Sequence, residues 1–237
     1  VEIRKINLLL LVVAACAVMP VFSPACSGGT SGGGGGGGHA NPDPQYVDVN
    51  STSPFSYSWV ELYNASDSWM NAAAERIRQC NVGLYKATEG HMRLGSQNLY
   101  RNRGDGNIII ENLDSWNISG GGCGTCYTRT TTRGRTVTKE YYIVLCGNFM
   151  PDIFLHEFCH GQFEKGGDEY LCTSCVMGTY MIGRMQELMR YCDAGNCLVT
   201  GIYSRCWENW ILQKYSGWGH TGADPGTPSA CEVIIHY

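Results

Sequence analysis

The 237-residue sequence has no cluster of Lys and Arg in any segment patterned like a folded element, and its formal net charge is −4. A chain that neutralises phosphates needs such a cluster, so nucleic acid is excluded as the expected partner. No internal repeat is present, which excludes solenoids and propellers. The length leaves a second full domain unexpected. It accommodates a leader, a linker and one domain of about 190 residues, enough to bury a real core.

What is there begins with Arg4 and Lys5, followed by an apolar run from Ile6 to Phe22 and then by the small residues Ser23 and Ala25. This is the order of a signal peptide, expected over 1–25. The other reading is an uncleaved anchor, since about 17 residues is at the short limit for a span. Either way the chain is exported, and is expected to be secreted or held at the cell surface or in the periplasm. Cys26 opens the run CSGGTSGGGGGGG. A Cys at that place, with a Gly/Ser tether behind it, resembles the lipidated start of a bacterial lipoprotein, whereas Val13, Ala14 and Ala15 before Cys16 fit the usual preceding box better. Membrane attachment through Cys26 or Cys16 therefore stands beside free secretion. Residues 26–45 are too rich in Gly, Ser and Pro to order themselves and read as a tether. The remainder, 46–237, reads as one domain, expected to be a monomer.

Thirteen cysteines in an exported chain point to disulfides. Without Cys16 and Cys26 eleven remain, and the odd one is expected to be a buried thiol, with Cys159 the candidate. Cys123 and Cys126 form a CxxC with no thioredoxin-like pattern around it, and read as a stapled loop.

Helical spacing of Trp69, Ala72, Ala73, Arg76 and Ile77 predicts a helix starting near Ser66 or Asp67. VGLYKAT and MRLGSQNLYR read as paired strands turned at Glu89 and Gly90. Asn107 to Glu111, with three consecutive isoleucines, reads as a strand buried on both faces. Tyr127 to Thr132 and Thr136 to Leu145 flank Arg-Gly-Arg as a hairpin. Pro151 and Asp152 then suit the first turn of a helix, DIFLHEFCHGQF, stopped by Gly166 and Gly167. A second helix is expected from Tyr180 to Tyr191, its Met181, Met185, Leu188 and Met189 facing the core. The class is α/β, of the α+β kind.

His156 and His160 are four apart on a predicted helix, so both imidazoles leave one face about a turn apart and can share a tetrahedral zinc. Glu157 beside them can take a proton from water and return it to a leaving amine. His39, His91, His220 and His236 lack ligand spacing and read as structural. Trp207, Trp210 and Trp218, with Tyr203 and Tyr215, read as packing.

The segment HEFCHGQFEKGGDEY resembles the active site of metzincins, which supply a third zinc ligand after a Gly turn. It is most similar to the branch ending in Asp-Glu-Tyr, found in calcium-activated chloride channel regulator proteins and some bacterial secreted peptidases. Asp168 falls one residue later here than in that branch, and the branch's turn Gly falls on Glu164, leaving Gly166 and Gly167 to supply the turn. The resemblance implies a small mixed sheet, an active-site helix and a Met-turn at Ser174, Cys175, Val176 and Met177. It implies a zinc-dependent endopeptidase acting on protein or peptide substrates, with Glu157 as base and a catalytic zinc on His156, His160 and Asp168. Glu169 is the alternative third ligand, and Tyr180 the candidate to assist at the oxyanion. Cys172, Cys175, Cys192 and Cys197 match four cysteines that archaemetzincins use for a second, structural zinc; disulfides stapling the C-terminal part are the other reading. A different class also remains, an extracellular binding module that holds zinc without proteolysis.

Overall fold

A computed structural model describes residues 39–168, 172–178 and 189–237, all within one compact unit, 37–237. The expected leader with Cys16 and Cys26, the alternative ligand Glu169, and Tyr180 with most of its expected helix lie outside the described residues. Residues 189–191, which end that expected helix, are not helical.

The elements run β1 (Val47–Asp48), β2 (Ser58–Glu61), α1 (Asp67–Ala87), β3 (Gln97–Arg101), β4 (Ile108–Glu111), β5 (Gly124–Arg133), β6 (Thr136–Cys146) and α2 (Pro151–Gln162). A π-helical turn, Trp207–Ile211, then leads into a short helix α3 (Leu212–Lys214), and β7 (Val233–His236) follows. One mixed sheet has the order β1-β6-β4-β2-β3-β7, with β5 pairing β6. Strands β6, β4, β2, β3 and β7 are mutually parallel, while β1 and β5 lie antiparallel to β6.

Alternation along the central strands sorts side chains to two faces. Trp59, Ile108 and Ile110 join the main core with α1 and α2. Val60 and Ile109 point the other way, into a smaller cluster with Leu62 that Tyr63, Tyr100 and Tyr142 cover. The isoleucine strand is thus buried on both faces, as its sequence predicts.

Helix α1 begins where expected: Ser66 is its N-cap and accepts from the Trp69 main-chain N–H. It does not end at Cys80. VGLYKAT, expected as a strand, completes the helix, because Leu84 and Ala87 extend the buried stripe of Ala73, Ala74, Ile77 and Cys80 by two turns. The second expected strand shortens to β3, which pairs in parallel with β2 and β7 and not with its predicted partner. The expected tether also ends early. Main-chain N–H groups of Ala40, Asp43 and Gln45 donate to Leu62, Gly104 and Gly106, which docks the 40–45 stretch onto the sheet. The hairpin is as predicted, with Arg133 paired to Thr136 across its turn.

Candidate metal centre

Helix α2 owes its orientation to aromatic side chains. Phe154 and Phe158, one turn apart, are fully buried and pack on Trp59 and Phe55, respectively. That anchoring leaves His156, Glu157 and His160 facing a cleft of about 520 Å³ beneath β5. Gly161 allows close contact with β6, since a Cβ there would stand 2.4 Å from the Tyr141 ring. A smaller cavity of about 150 Å³ opens beyond, and the two share Gly124, His156, Glu157 and Asp168. The histidine pair therefore sits midway along a groove.

After α2 the chain reverses at Glu164, which adopts the left-handed conformation at φ 57. The reversal was expected at Gly166 and Gly167; neither has positive φ. A non-glycine residue pays for that backbone locally, and here two ion pairs offset it: the Glu164 carboxylate binds Lys139 of β6 and Lys214 of α3. These lysines hold the Glu164 carboxyl below its ordinary range even though partial burial works the other way. Lys165 follows with a buried side chain that donates to the carbonyls of Gly167 and Tyr203 at 2.6 and 2.5 Å. The result brings Asp168 back over the helix.

His156 Nε2 and His160 Nε2 are 3.2 Å apart, and Asp168 Oδ1 lies 3.1 and 2.9 Å from them. Ligands at about 2.0–2.1 Å from a tetrahedral ion stand roughly 3.3 Å apart, so the spacing of this donor set fits one cation. Each Nδ1 faces a main-chain carbonyl: His156 that of Val176 at 2.9 Å, His160 that of Lys165 at 2.7 Å. A carbonyl can only accept, which fixes the proton on Nδ1 and turns the Nε2 lone pair to the shared point. Burial alone would lower the His156 pKa, but the Asp168 and Glu157 carboxylates outweigh it and raise it. The arrangement attracts positive charge.

Glu157 is nearly buried, and burial raises its carboxyl above the ordinary range against the pull of both histidines. Its side chain approaches the main chain of β5, where Cys126 works against that rise. Gly124 permits this approach: a Cβ there would lie 2.9 Å from Glu157 Cγ and Oε1. Sequence reading missed Gly124, Cys126, Lys165 and Val176. Lys165, Val176 and Cys126 meet the site through main-chain atoms and Gly124 by lacking a side chain, for which residue identity carries no signature.

Met177 is fully buried in the 172–178 segment, whose Val176 carbonyl orients His156. Cys123, just before β5, bonds to Cys146 at the end of β6, so the loop read as stapled is tied down through Cys123. Cys126 instead lines the cleft. Cys159 is buried as expected.

The remaining histidines lie away from the centre. His39 stacks on Tyr63, His91 on Trp218, His236 on Tyr100 and His220 on Trp207. The C-terminal aromatics likewise pack on one another, with Tyr203 against Trp210 and Tyr215 against Trp218. No family model, curated protein or solved structure matches the chain.

Proposed function

We propose that this protein is a zinc-dependent endopeptidase of the metzincin kind. One observation carries the reading: three nitrogen and oxygen donors converge within 3.2 Å of one another beside a buried carboxylate, midway along an open groove. His156, His160 and Asp168 would hold the zinc, with Glu169 the alternative third ligand. A zinc ion there supplies Lewis acidity, acidifying a water and polarising a substrate carbonyl.

The chain's own residues do the rest. Glu157 removes a proton from the attacking water at a carboxylate oxygen and later delivers it to the leaving amine. Burial raises its proton affinity, the direction that favours taking that proton up. Gly124 of β5 leaves room for that carboxylate, since a Cβ there would lie 2.9 Å from Glu157 Oε1. The Val176 and Lys165 carbonyls hold the two imidazoles in the one tautomer that leaves Nε2 deprotonated. Strand β5 lines the groove with Gly124, Thr125, Thr128 and Thr130, a wall beside which an extended peptide fits. A binding module without proteolysis would have no use for Glu157 in this place.

Zinc titration of the apo-protein against a competing chelator tests the assignment. Asp168→Ala should weaken zinc binding by at least about 10-fold, in keeping with loss of one ligand of three. Undiminished affinity in that variant would remove Asp168 from the centre.

A further inference from the structure

The third donor of the proposed centre stands on a turn that one buried side chain holds. Lys165 is only 1% exposed, and an ammonium is costly to bury unless its donors and its charge are met. Its Nζ donates to the Gly167 carbonyl, directly before Asp168, at 2.6 Å and to the Tyr203 carbonyl at 2.5 Å. The same nitrogen lies 5.4 Å from the centre of the Tyr203 ring and 5.5 Å from that of Trp210, two rings stacked 6.3 Å apart. At such distances a ring face attracts a cation. Two carbonyls and two rings thus make a cage for the ammonium.

The main chain of the same residue reaches a second donor. Its carbonyl accepts from His160 Nδ1 at 2.7 Å, and its N–H donates to the Cys159 carbonyl at 3.4 Å. Lys165 therefore meets His160 through its backbone and Asp168 through the Gly167 link. The far wall of the cage is secured from the other side. Tyr203 lies between Cys197 and Cys206, whose sulfurs pack 4.0 and 3.5 Å from those of Cys172 and Cys175 in the 172–178 segment. Gly167 meets the Tyr203 ring so closely that a Cβ there would stand 3.0 Å from it. A methionine at 165 would fill similar space and leave both carbonyls without this donor, a cost that volume does not repair.

We propose that Lys165 is a positioning residue for the metal, its cage fixing the place of Asp168 from the 203–210 segment. The ammonium acts through others: held by Tyr203 and Trp210, it holds the Gly167 carbonyl and so sets where the chain delivers Asp168. Asp168 Oδ1 stands 3.1 and 2.9 Å from the two Nε2 atoms, a spacing that a drifting turn would not keep. Partners of this kind, one bond removed from the ligands, govern metal affinity nearly as the ligands do. The inference rests on the reading of His156, His160 and Asp168 as a zinc centre, and not on proteolysis.

Zinc affinity of the purified full-length protein, titrated against a competing chelator well below the melting temperature of each variant, tests the role. Lys165→Met should weaken zinc by about 10- to 100-fold. In an Asp168→Ala background the same change should cost no more than about 3-fold, because residues that act through one another are not additive. Tyr203→Leu, at an exposed position, keeps the carbonyl and removes one ring; it should weaken zinc by about 2- to 5-fold, and it carries the test if Lys165→Met does not fold. Unchanged affinity in Lys165→Met, or in Tyr203→Leu where the first does not fold, overturns the proposal. Equal losses with and without Asp168 overturn it too, as does a lowered melting temperature of the apo-protein with zinc affinity intact. Undiminished affinity in Asp168→Ala removes the centre itself and the proposal with it. The expected pattern of affinities without casein hydrolysis would support the positioning role and sink the peptidase reading alone.

Discussion

Two acidic residues show how burial sets chemistry at the scale of single side chains. On the proposed reading Glu157 moves a proton and does not hold the metal, so Glu157→Gln should keep its zinc and lose at least ~10²-fold in peptide hydrolysis. Activity within a few-fold of wild type, at equal metal content, would contradict its role as base. Glu61 ends β2 fully buried, and burial raises its carboxyl to about 8 against the pull of the Tyr63 and Leu62 N–H groups and of Arg76. The folded state therefore keeps a proton that the unfolded chain gives up near the ordinary value of 4.5. Stability from this group is present below that value and is lost as pH rises toward 8, at about 1.4 kcal/mol per pH unit inside the window. Urea midpoints measured at about pH 5.5 and about pH 8.5 should fall in the wild type and fall much less in Glu61→Gln. Equal slopes in the two proteins would show that Glu61 ionises freely.

At the scale of elements, glycines mark where helix and strand must touch. An Ala within a helix ordinarily stabilises it relative to Gly, by up to about 1 kcal/mol. Gly161→Ala should instead destabilise by about 1–3 kcal/mol, because its Cβ has no room beside Tyr141 on β6. A thermal melt decides the sign. Gly124→Ala should push Glu157 out of place and lower kcat while leaving zinc content unchanged, a combination that mere loss of fold would not give. Elements were legible in the sequence where one strong pattern ruled them: Ser66 capping α1, the isoleucines of β4, the Arg-Gly-Arg hairpin and Pro151 opening α2 all stand where they were read. VGLYKAT was misread because its β-type alternation competes with a helical stripe that Leu84 and Ala87 continue from Ala73, Ala74, Ile77 and Cys80. The reversal at Glu164 was missed for a related reason. Glycine is the ordinary signal for positive φ, and the lysines that secure Glu164 come from elements 25 and 50 residues away.

The whole molecule gathers its centre from distant parts of one chain. In the proposed centre helix α2 would give two ligands and the base and the turn after it the third, while the 172–178 segment orients His156 and β5 lies beside Glu157. The Cys123–Cys146 bond ties β5 to the end of β6, just before α2 begins. The juxtaposition of His156 and His160 was legible as a spacing, since a helix turns any i, i+4 pair onto one face. Their support was not, because carbonyls of Val176 and Lys165 belong to no motif. The central claim is that this assembly is a metal-dependent peptidase, and hydrolysis of casein by the purified protein tests it most directly. The account predicts cleavage that a chelator abolishes and added zinc restores. Absence of cleavage by protein shown to carry zinc on His156, His160 and Asp168, or cleavage untouched by removing that zinc, would contradict it.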